Sequence, residues 1–538
     1  MLSNMHRCLL IPEVLMEIGE FLAEKETEGL GEESDINVNE VDARSVLAFS
    51  LTCRAFCGPG LDILWRHLED IRPLAFAFAG KIDLILAKGD GPGEENEGQE
   101  CVKLSLTRVP GPSEWGIFHS YSRRVKRLSF GPDFGPLYNT SPSLLAELAA
   151  YHPPEFLLPN LSCLAWYYTA AAHFPLLSLL VSPALTSITV MIDQDVNATK
   201  LWDILRLSAP ALQDVSVSIY ELTPSSTTYD SFSQAIRSWP NLSSLQLEES
   251  SELFPIPNDD LVYLAQCAKL RELRFAIHSN SITSNIGSSL SNSHFQSLKH
   301  LNVQVKCPAT LDFAIRMVKS IRPGNLTSLG LESAYPCPSS CFKEFMEAAT
   351  IHRNLTSLSL RMTFESHDVT RRNPNSYVVA ETIAPALKLT VLENFSLFGI
   401  PLHLTRDMLE KMAQSWPHIK SLTCCEWGAE ERNSTLLSLT DLEVLAAGCQ
   451  HLRDVWITYK TVFPEDRRLP IRRTSDLELH LDMRYSRIDE PMKTAVYLTN
   501  LFPRIKVSGF GSPDLLGRLQ SAIELMKEVR SQERQYCA

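Results

Sequence analysis

Histidines and cysteines are among the side chains whose types could hold a metal or attack a carbon, and their placement here argues for neither. His278, His294 and His300 fall near neighbouring copies of a repeated phrase. Lone histidines on a repeat surface are more often ordinary polar positions than ligands. The 13 cysteines stand singly or in pairs such as Cys53/Cys57, Cys337/Cys341 and Cys424/Cys425, without the C-x2-C spacing of a zinc site. Reduced thiols in an intracellular protein, cytoplasmic or nuclear, is the simple reading. The motifs G-x-x-x-x-G-K-[ST], H-E-x-x-H and G-x-S-x-G are missing, and the glycine-rich "GDGPGEENEG" is acidic and would repel phosphate. The expectation is a protein with no catalytic residues, no cofactor and no metal.

Charge narrows the partners. Of the formal net charge of −13, residues 24–42 carry −7 and residues 88–100 carry −4, so the rest of the chain is nearly neutral. Both acidic stretches are glycine- and glutamate-rich and read as solvated loops. Small basic clusters, Arg123/Arg124/Lys126/Arg127 and Arg467/Arg468/Arg472/Arg473, read as solvated faces. Nothing in this balance advertises nucleic acid. "LAWYYTAAAHFPLLSLLV" (164–181) is the best membrane candidate, but His173 and Pro175 interrupt it, and no membrane span is expected.

Chemistry being absent, the elements matter more. From residue 120 onward a phrase of three apolar positions returns, as in "NLSSLQL" (241–247), "KLRELRF" (269–275), "SLKHLNV" (297–303) and "NLTSLGL" (325–331). Its first positions, Leu242, Leu270, Leu298 and Leu326, are each 28 apart, and Leu355 follows after 29. The series extends back through Leu212, Leu185, Leu161 and Val125 and forward through Leu392, Ile419 and Leu452, with poorer echoes at Leu477 and 502–507. Between the phrases lie segments of helical spacing, such as 260–270, 342–355, 406–419 and 439–452. Strand then helix at this period is that of a leucine-rich repeat, whose units must stack to bury their apolar faces. A dozen strands about 4.8 Å apart would line a protein-sized inner arc of roughly 50–60 Å. Leu515, Leu519, Ile523 and Met526 align on one face of a closing helix expected over 513–532. Eight Asn-x-Ser/Thr sequons occur, but four of them stand directly before a repeat leucine, which gives their recurrence a structural cause.

The N-terminal "LLIPEVLMEIGEFL" (9–22) is no signal peptide, since Pro12, Glu13, Glu17 and Glu20 interrupt it. It reads as an amphipathic helix with Leu15, Ile18 and Leu22 on one face, Val14 and Phe21 beside them, Pro12 in the first turn and Glu13 at the positive end of the helix dipole. A second helix follows with Val46, Leu47, Phe49 and Leu51, and a third with Leu61, Leu64, Trp65 and Leu68. This order, carried by Ile11-Pro12-Glu13, Leu15, Ile18, Leu47, Leu51, Cys53-Arg54, Phe56 and Leu64-Trp65-Arg66, resembles the F-box, a three-helix module of about fifty residues. Ahead of leucine-rich repeats it looks most like the F-box/leucine-rich-repeat proteins of fungal type. The fold class expected is thus α/β, a three-helix F-box followed by a repeat solenoid with parallel strands inside and helices outside. The expected organisation is 1–75 as the F-box-like domain with an acidic insert over 23–42, 76–119 as a linker, 120–510 as the solenoid and 511–538 as the cap.

The resemblance implies a substrate-recognition subunit of an SCF-type E3 ubiquitin ligase, itself non-catalytic. The F-box helices would dock on a Skp-type adaptor, and through it on cullin and RING subunits, while the repeats hold an unidentified protein substrate. Ile11, Pro12, Leu15, Ile18, Leu47 and Leu51 are the implied adaptor surface, with Trp65 assigned to the core. Substrate contacts would come from side chains that alternate with the buried leucines, namely Gln246, Arg274, Asn302, Ser359, Thr423 and Trp456. Trp456 reads equally well as an anchor or as packing under a neighbouring loop. The alternative function is a repeat scaffold or inhibitor that binds a protein partner without recruiting a ligase.

Overall fold

The spacing of 28 between phrases is the register of a parallel sheet. In the computed structural model of the protein, Asn302 stands opposite Arg274 on one side and Gly330 on the other, and Ser359 follows one residue later than strict repetition would put it. The residues described are 11–23, 43–78, 82–88, 100–130, 142–151, 156–167, 174–192, 195–219, 225–249, 256–277, 294–305, 307–333, 335, 337–362, 378–400, 402, 404–425, 437–460, 478–483, 486, 488, 490–509 and 513–537. The acidic stretch 24–42, His278, the basic cluster at 467–473 and Leu477 lie outside them. The chain divides into two units, Met1–Phe254 and Pro255–Ala538.

The first unit opens with helices α1 (Pro12–Ala23), α2 (Ala43–Thr52) and α3 (Arg54–Arg66). Strand β1 (His67–Leu68) follows α3 without a break and pairs in parallel with β4 (Arg127–Phe130). Beyond β4 come β5 (Cys163–Trp166), β6 (Ser187–Ile192), β7 (Asp214–Ile219) and β8 (Ser244–Glu249), each parallel to the one before. Of the stretch 164–181, the best membrane candidate in the sequence, the described residues include the end of β5 and a 3-10 turn over Phe174–Leu179. Among the described residues no helix is long and apolar enough to cross a membrane.

Residues 76–119, expected as a linker, carry structure of their own. Strands β2 (Ile82–Lys88) and β3 (Glu100–Leu106) form an antiparallel pair, and a helix spans Pro112–Ser122. Phe78, Trp115 and Phe118 are buried together there, with ring centroids 5.2–5.4 Å apart. The pair is disguised in the sequence, because two short apolar segments on either side of an acidic run lack the repeat's period.

The second unit continues with β9 (Glu272–Ile277), β10 (His300–Val305), β11 (Ser328–Ser333), β12 (Ser357–Met362), β13 (Asn394–Phe398) and β14 (Ser421–Cys425). A small separate parallel pair joins β15 (Leu437–Ser438) to β17 (Tyr459–Lys460), while β16 (Asp454–Ile457), β18 (Glu478–Asp482) and β19 (Arg504–Ser508) extend the main ladder. Every repeat-opening apolar residue from Val125 to Leu452 is buried, as are the two alternating apolar residues of each phrase that β9, β10, β12 and β13 carry. The closing helix runs over Pro513–Cys537, longer than expected, with Leu519 and Ile523 buried and Leu515 and Met526 half-buried. It lies on the helix Pro491–Leu501, and its Gln520 donates to the Val507 carbonyl at 2.9 Å.

The sequons that precede repeat leucines act as clamps between repeats. Asn160, Asn325 and Asn354 each donate to a backbone carbonyl of the preceding repeat, those of Arg123, Gln296 and Gly324, at 2.7, 2.5 and 2.9 Å. The hydroxyl that completes each sequon does the same: Ser162 bonds the Lys126 carbonyl, Thr327 that of Lys299 and Thr356 that of Thr327, at 3.0–3.2 Å. Asn325→Ala and Asn354→Ala are each expected to cost about 0.5–1.5 kcal/mol, read as a lower urea midpoint for each single variant and a still lower one for the double variant.

His352 fills a buried place at the turn before β12, its Nε2 3.1 Å from the Val318 carbonyl and its Nδ1 without a hydrogen-bond partner among the described residues. Burial holds this imidazole below its ordinary value. The folded state therefore binds the proton less readily than the unfolded chain, and stability is expected to fall as pH drops through the ordinary histidine value of 6.5. The melting temperature of His352→Gln should decline less than that of the wild type between neutral and mildly acidic pH; equal declines would remove His352 as the cause.

Candidate functional site

The helical module divides its apolar residues between an inner and an outer face. In α1 the buried stripe is Leu15, Gly19 and Ala23, four residues apart. It faces α3 closely, since a side chain at Gly19 would collide with Ile63. In α2 the buried residues are Val46, Phe49 and Ser50. Ser50 can face inward because its hydroxyl donates to the Val46 carbonyl at 2.7 Å, and Gly60 of α3 leaves it room. Ala23, Val46 and Ile63 meet in the core, with Met16 and Leu64 against them, and Phe49 stacks on Phe56 at 4.8 Å.

The large apolar residues left over are outside. Ile11 is 45% exposed, Ile18 36%, Leu47 49% and Leu51 76%, and Pro12 is exposed beside them. Leu15 corrects the expectation: it is 1% exposed and belongs to the core, so it is no contact residue. The reading from sequence followed large side chains around the helix, whereas the tight face is set by the small ones. It also missed Phe21 and Leu22, 76% and 38% exposed, as surface residues; Gly19 and Ala23, spaced by four from Leu15, were the available signal. Trp65 is half-buried with its ring 4.6 Å from Tyr121.

The module is fixed at its third helix. Arg124, one of the basic cluster expected as a solvated face, pairs with Asp62 and reaches the Gly58 carbonyl at 3.3 Å. The Lys126 amide donates to the Arg66 carbonyl at 2.8 Å, and Arg66 itself pairs with Glu20 of α1 at 2.5 Å.

On the strands of the second unit, five of the six expected contact residues share one cross-strand row. Arg274, Asn302, Gly330, Ser359, Ser396, Thr423, Trp456, Asp482 and Ser508 are successive register partners. Arg274 and Trp456 stand six strand spacings apart, about 29 Å. Gln246 belongs instead to the row of the first unit, Ser129, Ala165, Thr189, Ser216 and Gln246. All six expected residues are half-buried.

Neighbouring positions missed in the sequence complete this face. Glu332 accepts from Arg274 and from Asn302, both at 3.0 Å. Trp456 packs edge-on against Phe398 with centroids 4.9 Å apart, and the Arg361 guanidinium lies 5.0 Å from the Phe398 ring centre. Glu332, Arg361 and Phe398 occupy the next outward position of their strands, two after the row, which the alternation rule offers but does not rank.

Two further groups bear on chemistry. His480 lies 2.9 Å from the Ser508 hydroxyl through Nε2 and 3.6 Å from the Asp454 carboxylate through Nδ1, which ties three strands together. The Asp454 carboxylate holds this imidazole above its ordinary value. The described cysteines are free thiols, and burial pushes those of Cys337 and Cys424 up and that of Cys449 to about 11, so they stay protonated and pack as small apolar groups. Among the described residues no group of three or more histidine, cysteine and acidic side chains could hold a metal ion. His300 is exposed on β10.

No protein-family model matches the chain. No curated protein matches it either.

Proposed function

We propose that this chain is the substrate-recognition subunit of an SCF-type ubiquitin ligase, with an F-box-like helical module and leucine-rich repeats. The observation that carries the reading is the outer face of α1 and α2. Ile11, Ile18, Phe21, Leu22, Leu47 and Leu51 are exposed while other residues fill the core of the same helices. Large apolar side chains concentrated on so small a module mark a protein contact rather than idle surface. A Skp-type adaptor would cover them, and cullin and RING subunits would follow through that adaptor. A protein substrate would lie on the strand faces, and the ligation chemistry would belong to the other subunits, this chain contributing proximity.

Co-expression with a Skp-type adaptor tests the proposal. The full chain is expected to co-purify with it, and Leu47→Asp with Leu51→Asp to abolish co-purification without shifting the melting temperature, because both positions face solvent. Failure of the wild-type chain to retain the adaptor would defeat the reading in favour of a repeat scaffold.

A further inference from the structure

The strands of the second unit carry an arginine whose charge no ion pair answers among the described residues. Arg361 is exposed on β12, and its register partners are Glu332 on β11 and Phe398 on β13. Glu332 would be the obvious carboxylate for it, but that side chain is drawn the other way. Its Oε1 accepts from Arg274 of β9 and Asn302 of β10, both at 3.0 Å. Gly330 stands between Asn302 and Ser359 in the row, and a Cβ there would come within 2.9 Å of the Asn302 amide carbon, so a larger residue would push that amide aside. The Glu332 charge is thus met by Arg274.

Arg361 is meanwhile held in place by an aromatic ring. Its guanidinium sits 5.0 Å from the centre of Phe398, and Phe398 is braced by the edge of Trp456 at 4.9 Å. A guanidinium stacked on a ring loses little freedom when it binds and keeps its N–H edge for an acceptor. The floor beside it is low and polar: Ser359 lies two residues earlier on the same strand, and Ser396 and Thr423 follow it in register, all half-buried. An ordered guanidinium beside short hydroxyls suits an anion held by charge-assisted hydrogen bonds.

We infer that Arg361, lying over Phe398 beside the row of Ser359, Ser396 and Thr423, is a subsite for an acidic side chain, carboxylate or phosphate, on an extended segment of the protein bound to these strands. This rests on the reading that the strand faces receive a protein partner. Arg361 supplies the charge, Phe398 and Trp456 hold its orientation, and the serine row lets the segment approach.

The test uses the full chain and pools of fluorescent nonapeptides with randomised flanks and a central glutamate, phosphoserine, glutamine or lysine, read by fluorescence anisotropy. The glutamate pool, the phosphoserine pool or both should bind about tenfold more tightly than the glutamine pool, the scale of one charge-assisted hydrogen-bonding contact. Arg361→Gln should abolish the difference, and Arg361→Lys, which keeps the charge but loses the planar fork of donors, should keep only part of it. Which anionic pool is preferred identifies carboxylate or phosphate as the group taken. Equal binding of all pools by the wild type, or an anion preference that survives in Arg361→Gln, overturns the inference. The same Arg361→Gln protein should still co-purify with the adaptor, so adaptor capture decides the ligase reading and the peptide pools decide this one.

Discussion

Leu15→Asp is expected to unfold the three-helix module, whereas Leu51→Asp is expected to leave it folded. Leu15 is 1% exposed and Leu51 76%, although both are leucines on neighbouring amphipathic helices. Losing a buried leucine costs about 2–5 kcal/mol, and the aspartate adds the price of bringing a polar group without a partner into the apolar space between α1 and α3. An exposed substitution generally stays within about 0.5 kcal/mol. Hydrogen exchange over residues 43–66 separates the two outcomes, because opening of the module exposes the amides of α2 and α3. Wild-type protection in Leu15→Asp would show that the helices do not close on Leu15.

Trp416→Ala carries the second large effect. Trp416 is 1% exposed, its indole donates to the Ala386 carbonyl at 3.2 Å, and its ring lies 4.6 Å from that of Phe395. Truncation removes the ring contact, opens a cavity and leaves a carbonyl of the adjacent repeat without its donor, a loss of about 3–5 kcal/mol. Trp416→Phe keeps a ring beside Phe395 and forfeits the donor, about 1–3 kcal/mol. Urea unfolding followed by circular dichroism should rank wild type, Trp416→Phe and Trp416→Ala in that order. Repeats bury their core only against neighbours, so the alanine variant should also broaden the transition as the units flanking it uncouple.

The stacked strands were legible because the same physical demand recurs every 28 or 29 residues from Leu242 to Leu355, and at looser spacing on either side, leaving three apolar positions in each phrase. Register followed without further information, since one repeat length is one strand spacing. The antiparallel pair β2/β3 was not legible, having no second copy to average against. The inner face of α1 departs from the expectation for a different reason. Hydrophobic spacing marks which residues avoid water, but helices approach most closely where side chains are small, and Gly19 carries no hydrophobic signal at all. On the strand faces, alternation pointed outward to Arg274, Asn302, Ser359, Thr423 and Trp456, and the register confirms their common row. It could not foresee that Glu332 turns to Arg274 or that Phe398 takes the guanidinium, because those choices depend on side chains from three adjacent strands at once.

Strand β1 begins at the residue after α3 ends, and Lys126, the residue just before its partner β4, donates to the last carbonyl of that helix. Such a joint has no swivel. A protein gripping α1 and α2 and another gripping the strands of the first unit would be set at a distance and angle fixed by continuous main chain, like two jaws cast in one piece. Adding or removing a single residue at 66–67 would therefore rotate one jaw by a helical step of about 100 degrees relative to the other, changing geometry while leaving every contact surface intact.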